Sequence, residues 1–594
     1  MMTKKQLDVS IGDYSSAGRK PSNQDFHGAV IPKEPSLSTK GIALAIADGI
    51  SSSDVSHIAS QTSVTSFLQD YYCTSDAWSV KTSAQRVLSA TNSWLFSQSQ
   101  QSPHRFDKDK GYICTFSSVV FKSNTAYLFH SGDSRILRVN GQRLEQLTTD
   151  HRRTVSPEVS YLTRGLGIHS HIEADYDSVP IAKGDIFLLA TDGVYEFLSV
   201  GQILNALSPE ALSSVTLSSN GETAPSSTAL SSIARQLVNT AYAAGSDDNL
   251  TLQIVRVNEV PEQSLSELHD NQNELLPPPK KLQPRKVFDG YHILRELYLS
   301  SRSHVYLVQD SESGEQAVLK TPSTEMRDNV AHLDSFLMEE WILKRMDNAH
   351  IIKAANTQHK QAFLYTVTEY IEGKTLSQWI IDNPNPSIDQ IRPIIEQVAK
   401  GLQALHRQEI IHQDIRPNNI MIDLSGTVKI IDLGSAKVAG ITEASPQHKH
   451  QSEAAIFTAQ YAAPEYFLGE SGTAQSDIFS LGVLTYQMLS GELPYGNDIS
   501  NTRSSHEQHR LSYRPLLSSH DGTPAWVDYA IKKATHITPQ KRYQEVSEFI
   551  HDLNHPNTHF LSRTKPPLIE RNPILFWQGL CALLAIALAY EVMQ

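Results

Sequence analysis

An α+β multidomain architecture closed by a C-terminal transmembrane helix is what this chain's own punctuation calls for. Its 594 residues exceed one core, since single domains typically hold about 100–200 residues. Two polar stretches interrupt it, at 259–287 and 555–573, and an apolar run follows at 574–593. Strand-like runs such as IALAIA and IFLLA share the remaining blocks with helix patterns such as FLMEEWILKRM. The expected order is a block at 1–258, a Pro-rich linker at 259–287, a block at 288–554, a tether at 555–573 and an anchor at 574–593.

Composition excludes several classes. With 40% hydrophobic and 19% charged residues, the chain is neither disordered nor collagen-like. Its 51 Lys+Arg against 64 Asp+Glu give a formal charge of -13, which disfavours a nucleic-acid partner. Cys73, Cys114 and Cys581 are scattered and odd in number, which fits a reducing compartment rather than a disulfide framework or zinc site. The opening MMTKKQLDVSIGDYSS has no apolar core after its lysines, so no signal peptide is expected. No internal repeat links the blocks.

In the first block, Ile42–Ala47 runs into Asp48-Gly49, and Ile186–Ala190 runs into Thr191-Asp192-Gly193. Each reads as a buried strand delivering a carboxylate at its end, with a glycine permitting a sharp exit. Taken singly, either pair also reads as an ordinary strand-end turn. A third cluster, Asp247-Asp248-Asn249, precedes LTLQIVRV; a further strand, TAYLFHSGDSRILRV, carries Asp133 between Gly132 and Ser134, and RKPSNQD sets Arg19 six residues before Asp25. Hard divalent cations favour such oxygen ligands. Two of them can lower the pKa of a water and aim it at phosphorus, while Arg19 grips phosphate oxygens. A Ser/Thr-rich stretch from Ser213 reads as a surface loop.

In that order, RKPSNQD, IADG, SGDSR, ATDG and GSDDNLT resemble the PPM (type 2C) family of metal-dependent serine/threonine phosphatases over roughly residues 10 to 257. The resemblance implies a β-sandwich flanked by helices with two Mn2+ or Mg2+ ions at one edge. It assigns Asp48, the Gly49 carbonyl, Asp192 and Asp248 to the paired metals, Asp25 to a water on them, and Asp133 to a weaker third metal. Two departures stand out. ISSSDVSH follows Asp48-Gly49 where many relatives carry a glycine pair and histidine, and the flap segment from Asp150 to Leu162 is short.

Three consecutive prolines make the linker a stiff, extended spacer. Beyond it, AVLK ends a strand-like run at Lys320, and Glu339 lies nineteen residues on in a helix pattern. Such a Lys–Glu pair can hold the lysine against nucleotide phosphates. IIHQDIRPNNIMID supplies Asp414 and Asn419, and VKIIDLG supplies Asp432. A carboxylate beside a hydroxyl can take its proton, and an Asn with an Asp can hold magnesium.

The series resembles the protein kinase catalytic domain over roughly Phe288 to Asn554, which implies a bilobed fold, ATP and Mg2+. Lys320 then matches the nucleotide-anchoring lysine and Glu339 its helix partner. Asp414 matches the catalytic base, Asn419 and Asp432 the metal ligands, and Glu369 to Ile371 the adenine hinge. Ala463-Pro464-Glu465, Asp477 and Arg542 match structural supports, while Pro417 and Thr458 suggest serine/threonine specificity. Glycines expected near Tyr298, Ser300 and Ser303 are missing. Gln413 stands in place of the arginine that commonly reads loop phosphorylation, and Arg416 replaces a lysine. His448 and His450 read as solvated loop residues, and Thr442, Ser445 and Ser452 as candidate modification sites.

The run from Ile574 to Tyr590 carries no charge and would span about 26 Å as a helix. Trp577 and Tyr590 sit near its ends, and Arg563, Lys565 and Arg571 before it. The expectation is a single-pass membrane anchor with both blocks cytoplasmic; a buried or surface-lying helix is the alternative. The two resemblances together imply a bifunctional, bacterial-type signalling enzyme. It would phosphorylate protein Ser/Thr and remove that phosphate, including from its own kinase-like block. The alternative is an active phosphatase regulated by a pseudokinase sensing module.

Overall fold

The computed structural model describes residues 6–592 apart from 157–158, 209–211, 213–226, 262–275, 356–358, 360, 442–459, 517–522, 558–559 and 561–572. The Ser/Thr-rich stretch as far as 226, most of the linker, and Thr442, Ser445, His448, His450, Ser452 and Thr458 therefore lie outside the described residues.

Strands Asp8–Ser16 (β1), Asp25–Val30 (β2) and Ile42–Asp48 (β3) open the N-terminal block, followed by helices Ser56–Cys73 (α1) and Val80–Gln101 (α2). Then come Phe116–Lys122 (β4), Thr125–Ser131 (β5), Arg135–Asn140 (β6) and Arg143–Gln146 (β7). A hairpin, Arg152–Ser156 (β8) and Val159–Leu162 (β9), precedes Asp175–Pro180 (β10) and Ile186–Ala190 (β11). Helix Ser227–Ala243 (α3) and strand Leu250–Glu259 (β12) complete the block.

Two five-stranded sheets result, in the orders β1-β12-β11-β6-β7 and β10-β5-β4-β3-β2. The continuous apolar runs follow from serving two cores at once. Ile42, Leu44 and Ile46 pack between the sheets with Val119, Phe187 and Val255, while Ala43, Ala45 and Ala47 pack with Phe67, Tyr71 and Val87 of α1 and α2. Alanine on that side leaves room for the helices. Phe187 and Leu189 likewise belong to the inter-sheet core, and Leu188 and Ala190 to the core beneath α3. Burying each of the larger side chains contributes about 1.5–3 kcal/mol. The layers are helix, sheet, sheet, helix, as expected.

The central block has two lobes. The first is a five-stranded antiparallel sheet in sequential order: Val287–Phe288 (β13), Tyr291–Leu299 (β14), Ser303–Asp310 (β15), Gln316–Pro322 (β16) and Thr366–Glu369 (β17). Helix Val330–Arg345 (α4) follows β16 and precedes β17 in the chain; the Asn329 side chain caps it by accepting the His332 N–H. The second lobe is built on helices Ile388–Arg407 (α5), Ala474–Ser490 (α6), Ala525–Ala534 (α7) and Val546–Asn554 (α8). The described end of the linker lies against the first lobe: Pro277 O accepts the Leu364 N–H at 3.1 Å, and Leu282 N–H donates to the Tyr306 hydroxyl at 3.2 Å.

The C-terminal segment forms helix Pro573–Val592 (α9). No helix among the described residues is long and apolar enough to cross a membrane. The expected transmembrane helix is therefore not found among the described residues, whose side chains in α9 run from Ile574 to Leu583.

Candidate active sites

The strand ends bring the first set of carboxylates together. β2 and β3 pair so that Asp25 is the direct partner of Asp48. Asp48 is locked by its neighbours: its N–H donates to Thr115 Oγ1 at 3.0 Å and its carbonyl accepts the Thr115 N–H at 2.8 Å. At Gly49 a Cβ would lie 2.7 Å from Ser56 O, so only glycine fits the exit. Asp25 Oδ2 accepts from Thr251 Oγ1 at 2.7 Å and Thr191 Oγ1 at 2.9 Å, while its Oδ1 is buried without a hydrogen-bond partner.

Electrostatics confirm the crowding. Burial pushes the Asp48 carboxyl well above the usual range, reinforced by Asp25, Asp192, Asp133 and Asp248. Asp25 is pushed up to about 6, first by burial, with Thr251 and Thr191 opposing and Asp248 adding to it. Asp192 is pushed up to about 7 by burial, then by Asp133 and Asp248. Two cations answer these five acids. Arg152 reaches Asp133 Oδ2 at 2.5 Å, Asp192 Oδ2 at 2.7 Å and Glu196 at 2.6 Å, and Lys20 lies 3.4 Å from Asp248.

Among the described residues no group of three or more His, Cys, Asp or Glu side chains is gathered to hold a metal ion. The donors nonetheless fit hard divalent ions, being all oxygen and in charge excess, with Asp25 Oδ1 and Asp192 Oδ1 both buried and unpartnered.

Arg19 departs from expectation. Its guanidinium donates to the carbonyls of Ser246 and Tyr242 and stacks 4.5 Å from the Tyr242 ring, because it closes the C-terminal end of α3. Arg152, at the start of β8, is the guanidinium found among the carboxylates. It was missed; it lies in the short flap segment from Asp150 to Leu162, which carries none of the quoted motifs. Asn249 was missed as well: its Oδ1 accepts the Gln24 N–H at 2.9 Å, and its Nδ2 donates to Ala17 O and Ser22 O at 3.0 Å each. That side chain holds the Asp25 loop, and its place beside Asp248 was the available signal.

The second set lies between the lobes of the central block. Lys320 Nζ, near the end of β16, is 2.8 Å from each Glu339 oxygen of α4 and 3.1 Å from Asp432 Oδ1. Burial opposes the lysine's charge, but Asp432 and Glu339 outweigh it and hold its pKa above the ordinary value. Burial likewise raises Asp432, yet Lys320 and the Gly434 N–H more than offset it and hold the carboxyl well below the usual range. Asn419 Nδ2 donates to Asp414 Oδ2 at 2.8 Å and to its carbonyl at 2.9 Å, and Arg416 Nε is 3.3 Å from Asp414 Oδ2. Fully buried Asp477 holds this loop by accepting the His412 and Gln413 N–H groups, each at 2.9 Å. Gln413 adopts φ 68 there. Arg542 forks onto Glu465 at 2.7 and 2.8 Å.

Glu369 is taken by Lys429 at 2.7 and 2.8 Å, and Ile371 is buried beside it. In the glycine-free hairpin, Ser300 Oγ accepts the Ser303 N–H at 3.1 Å and the Arg302 N–H at 3.3 Å. The serine thus occupies amides that an open glycine turn would leave free.

Residues 14–238 match the family model for protein phosphatase 2C, and residues 291–559 match that for the protein kinase domain. The chain carries a phosphatase 2C domain and a protein kinase domain. The phosphatase match stops before Asp248, although β12 pairs with β1 along its length. The kinase domain is similar to the serine/threonine-protein kinase PknB of Mycobacterium tuberculosis, 30% identical over 277 residues, covering 46% of this chain and 43% of the relative. It is also similar to the probable kinase PknB of Lactococcus lactis, 26% identical over 274 residues, covering 46% and 43%. The chain thus spans less than half the length of the curated relatives it matches. Among solved structures, the Mycobacterium tuberculosis PknI kinase domain is 21% identical with a TM-score of 0.37, covering 47% of this chain and 100% of that one. The S. agalactiae serine/threonine phosphatase is 23% identical with a TM-score of 0.35, covering 42% and 100%.

Proposed function

We propose that this chain is a bifunctional signalling enzyme. Its kinase domain transfers phosphate from ATP to protein serine or threonine, and its phosphatase domain hydrolyses phosphoserine and phosphothreonine at a two-metal centre. The observation that carries the reading is the closed Lys320–Glu339 pair beside Asp432.

In the kinase domain, Lys320 anchors the nucleotide phosphates and Glu369 to Ile371 border the adenine side. Asn419 and Asp432 would hold Mg2+, which when bound neutralises charge on the transferred group. Asp414, aimed by the Asn419 amide, accepts the proton of the incoming hydroxyl at Oδ2.

In the phosphatase domain, Asp48, the Gly49 carbonyl, Asp192 and Asp248 would hold two Mn2+ or Mg2+ ions, and Asp133 a third. When bound, these supply Lewis acidity and a water of lowered pKa. Asp25, fixed by Thr191 and Thr251 through Oδ2, keeps an unpartnered Oδ1 that would accept a hydrogen bond from the attacking water. Phosphate release from phosphoproteins that needs Mn2+ or Mg2+, and is lost in Asp192→Asn, tests this half. The kinase domain itself is among the proposed phosphatase substrates.

A second reading treats the kinase domain as a nucleotide-binding regulator of an active phosphatase. The Ser300-closed hairpin favours it; ATP binding without transfer would establish it.

Membrane attachment through α9, with both domains cytoplasmic, is a separate proposal. It draws on exposed Ile574, Leu575, Trp577 and Leu583. Recovery of the full chain in the soluble fraction of lysed cells would contradict it.

A further inference from the structure

Helix α4 carries Glu339, and its far side is covered by the phosphatase domain. At about 100° per residue, Asp334, Trp341 and Arg345 fall within about 20° of one line along the helix, and Glu339 is turned about 140° from it. All three residues on that line meet α1, α2 or the segment between them. Arg86 Nη2 of α2 reaches Asp334 Oδ1 at 2.5 Å. The fully buried Trp341 packs edge-on against Trp78, ring centroids 6.1 Å apart, and its Nε1 donates to Asp70 O at 3.2 Å. Arg345 Nε lies 2.8 Å from Asp70 Oδ2.

The same α2 helix reaches the second kinase lobe. Ser97 Oγ donates to Glu409 Oε1 at 2.8 Å. At Gly440, with φ +80, a Cβ would lie 2.5 Å from Ser89 O, so the backbone there runs hard against α2. One helix therefore touches both kinase lobes while the Lys320–Glu339 pair is closed.

We propose that the phosphatase domain is the kinase's built-in positioning partner. Docked α1 and α2 fix the rotation of α4, and thereby hold Glu339 on Lys320. Arg86, Trp78 and Asp70 are positioning residues for phosphoryl transfer, separate from the carboxylates of the phosphatase site. The proposal rests on the kinase reading above.

The test uses the full chain carrying Asp192→Asn, so that product is not erased, and compares Arg86→Glu with Arg86→Glu/Asp334→Arg. Arg86→Glu is expected to lower kcat for phosphoryl transfer about tenfold and to speed amide hydrogen exchange in 330–345. The swapped pair should restore both to within about twofold. With Asp192 intact, Arg86→Glu should hydrolyse p-nitrophenyl phosphate as the parent does. Unchanged or raised kinase kcat in Arg86→Glu, or no recovery in the swapped pair, overturns the proposal. A parent chain that transfers no phosphate defeats the kinase reading instead, and helix exchange alone then decides: unchanged exchange in Arg86→Glu overturns the coupling.

Discussion

Asp25 and Asp48 face each other as direct partners on neighbouring strands, with Asp192 and Asp248 within electrostatic reach. The strand pairing that builds the sandwich therefore forces acids together, and folding stores their repulsion at the site.

The pH dependence follows from that repulsion. Asp25 at about 6 and Asp192 at about 7 both titrate above an ordinary 3.8. Their protonated forms are favoured by folding, so the contribution is full below pH ~4 and is lost as pH rises through 6 to 7. In a chelator, the phosphatase domain should melt at a lower temperature at pH 8 than at pH 5, and Asp25→Asn should flatten the difference. Calorimetry showing the opposite slope, with the slope following these two acids, would contradict the cluster.

Arg152 bridges Asp133 and Asp192 and so competes with any cation for them. Arg152→Gln should tighten Mn2+ binding severalfold by titration calorimetry, while lowering the melting temperature of the chelated protein. Weaker Mn2+ binding would show that the guanidinium supports the site rather than competing for it.

Gly49 has no room for a methyl group beside Ser56 O. Gly49→Ala should cost about 1–3 kcal/mol in chemical unfolding and abolish metal-dependent phosphate release. A neutral effect would mean that the strand exit relaxes freely.

Ser300→Gly removes the hydroxyl that accepts the Arg302 and Ser303 amides. Those amides then become free for phosphate, and KM for ATP should fall severalfold. An unchanged KM would mean that the hairpin does not limit nucleotide binding.

Most of both sites is readable without coordinates because their chemistry is carried by short runs. Asp48 and Asp192 end apolar strands, and Lys320, Asp414, Asn419 and Asp432 sit in compact motifs. What eludes sequence is set by long-range packing. Nothing local to RKPSNQD shows that Arg19 will close the end of α3, more than two hundred residues away, or that Arg152 will reach the acids. Trp341 likewise reads as an ordinary apolar helix position; its partners Trp78 and Asp70 belong to the other domain.

The central claim is that one chain both adds phosphate to protein serine or threonine and removes it. The most direct measurement is incorporation from gamma-labelled ATP by the full chain carrying Asp192→Asn, with and without Asp414→Asn. The account predicts labelled serine or threonine in the first, reduced about 10²–10⁴-fold when the base is removed, and release of that label by added chain with Asp192 intact and Asp414→Asn. ATP binding with no label above the Asp414→Asn background would contradict it.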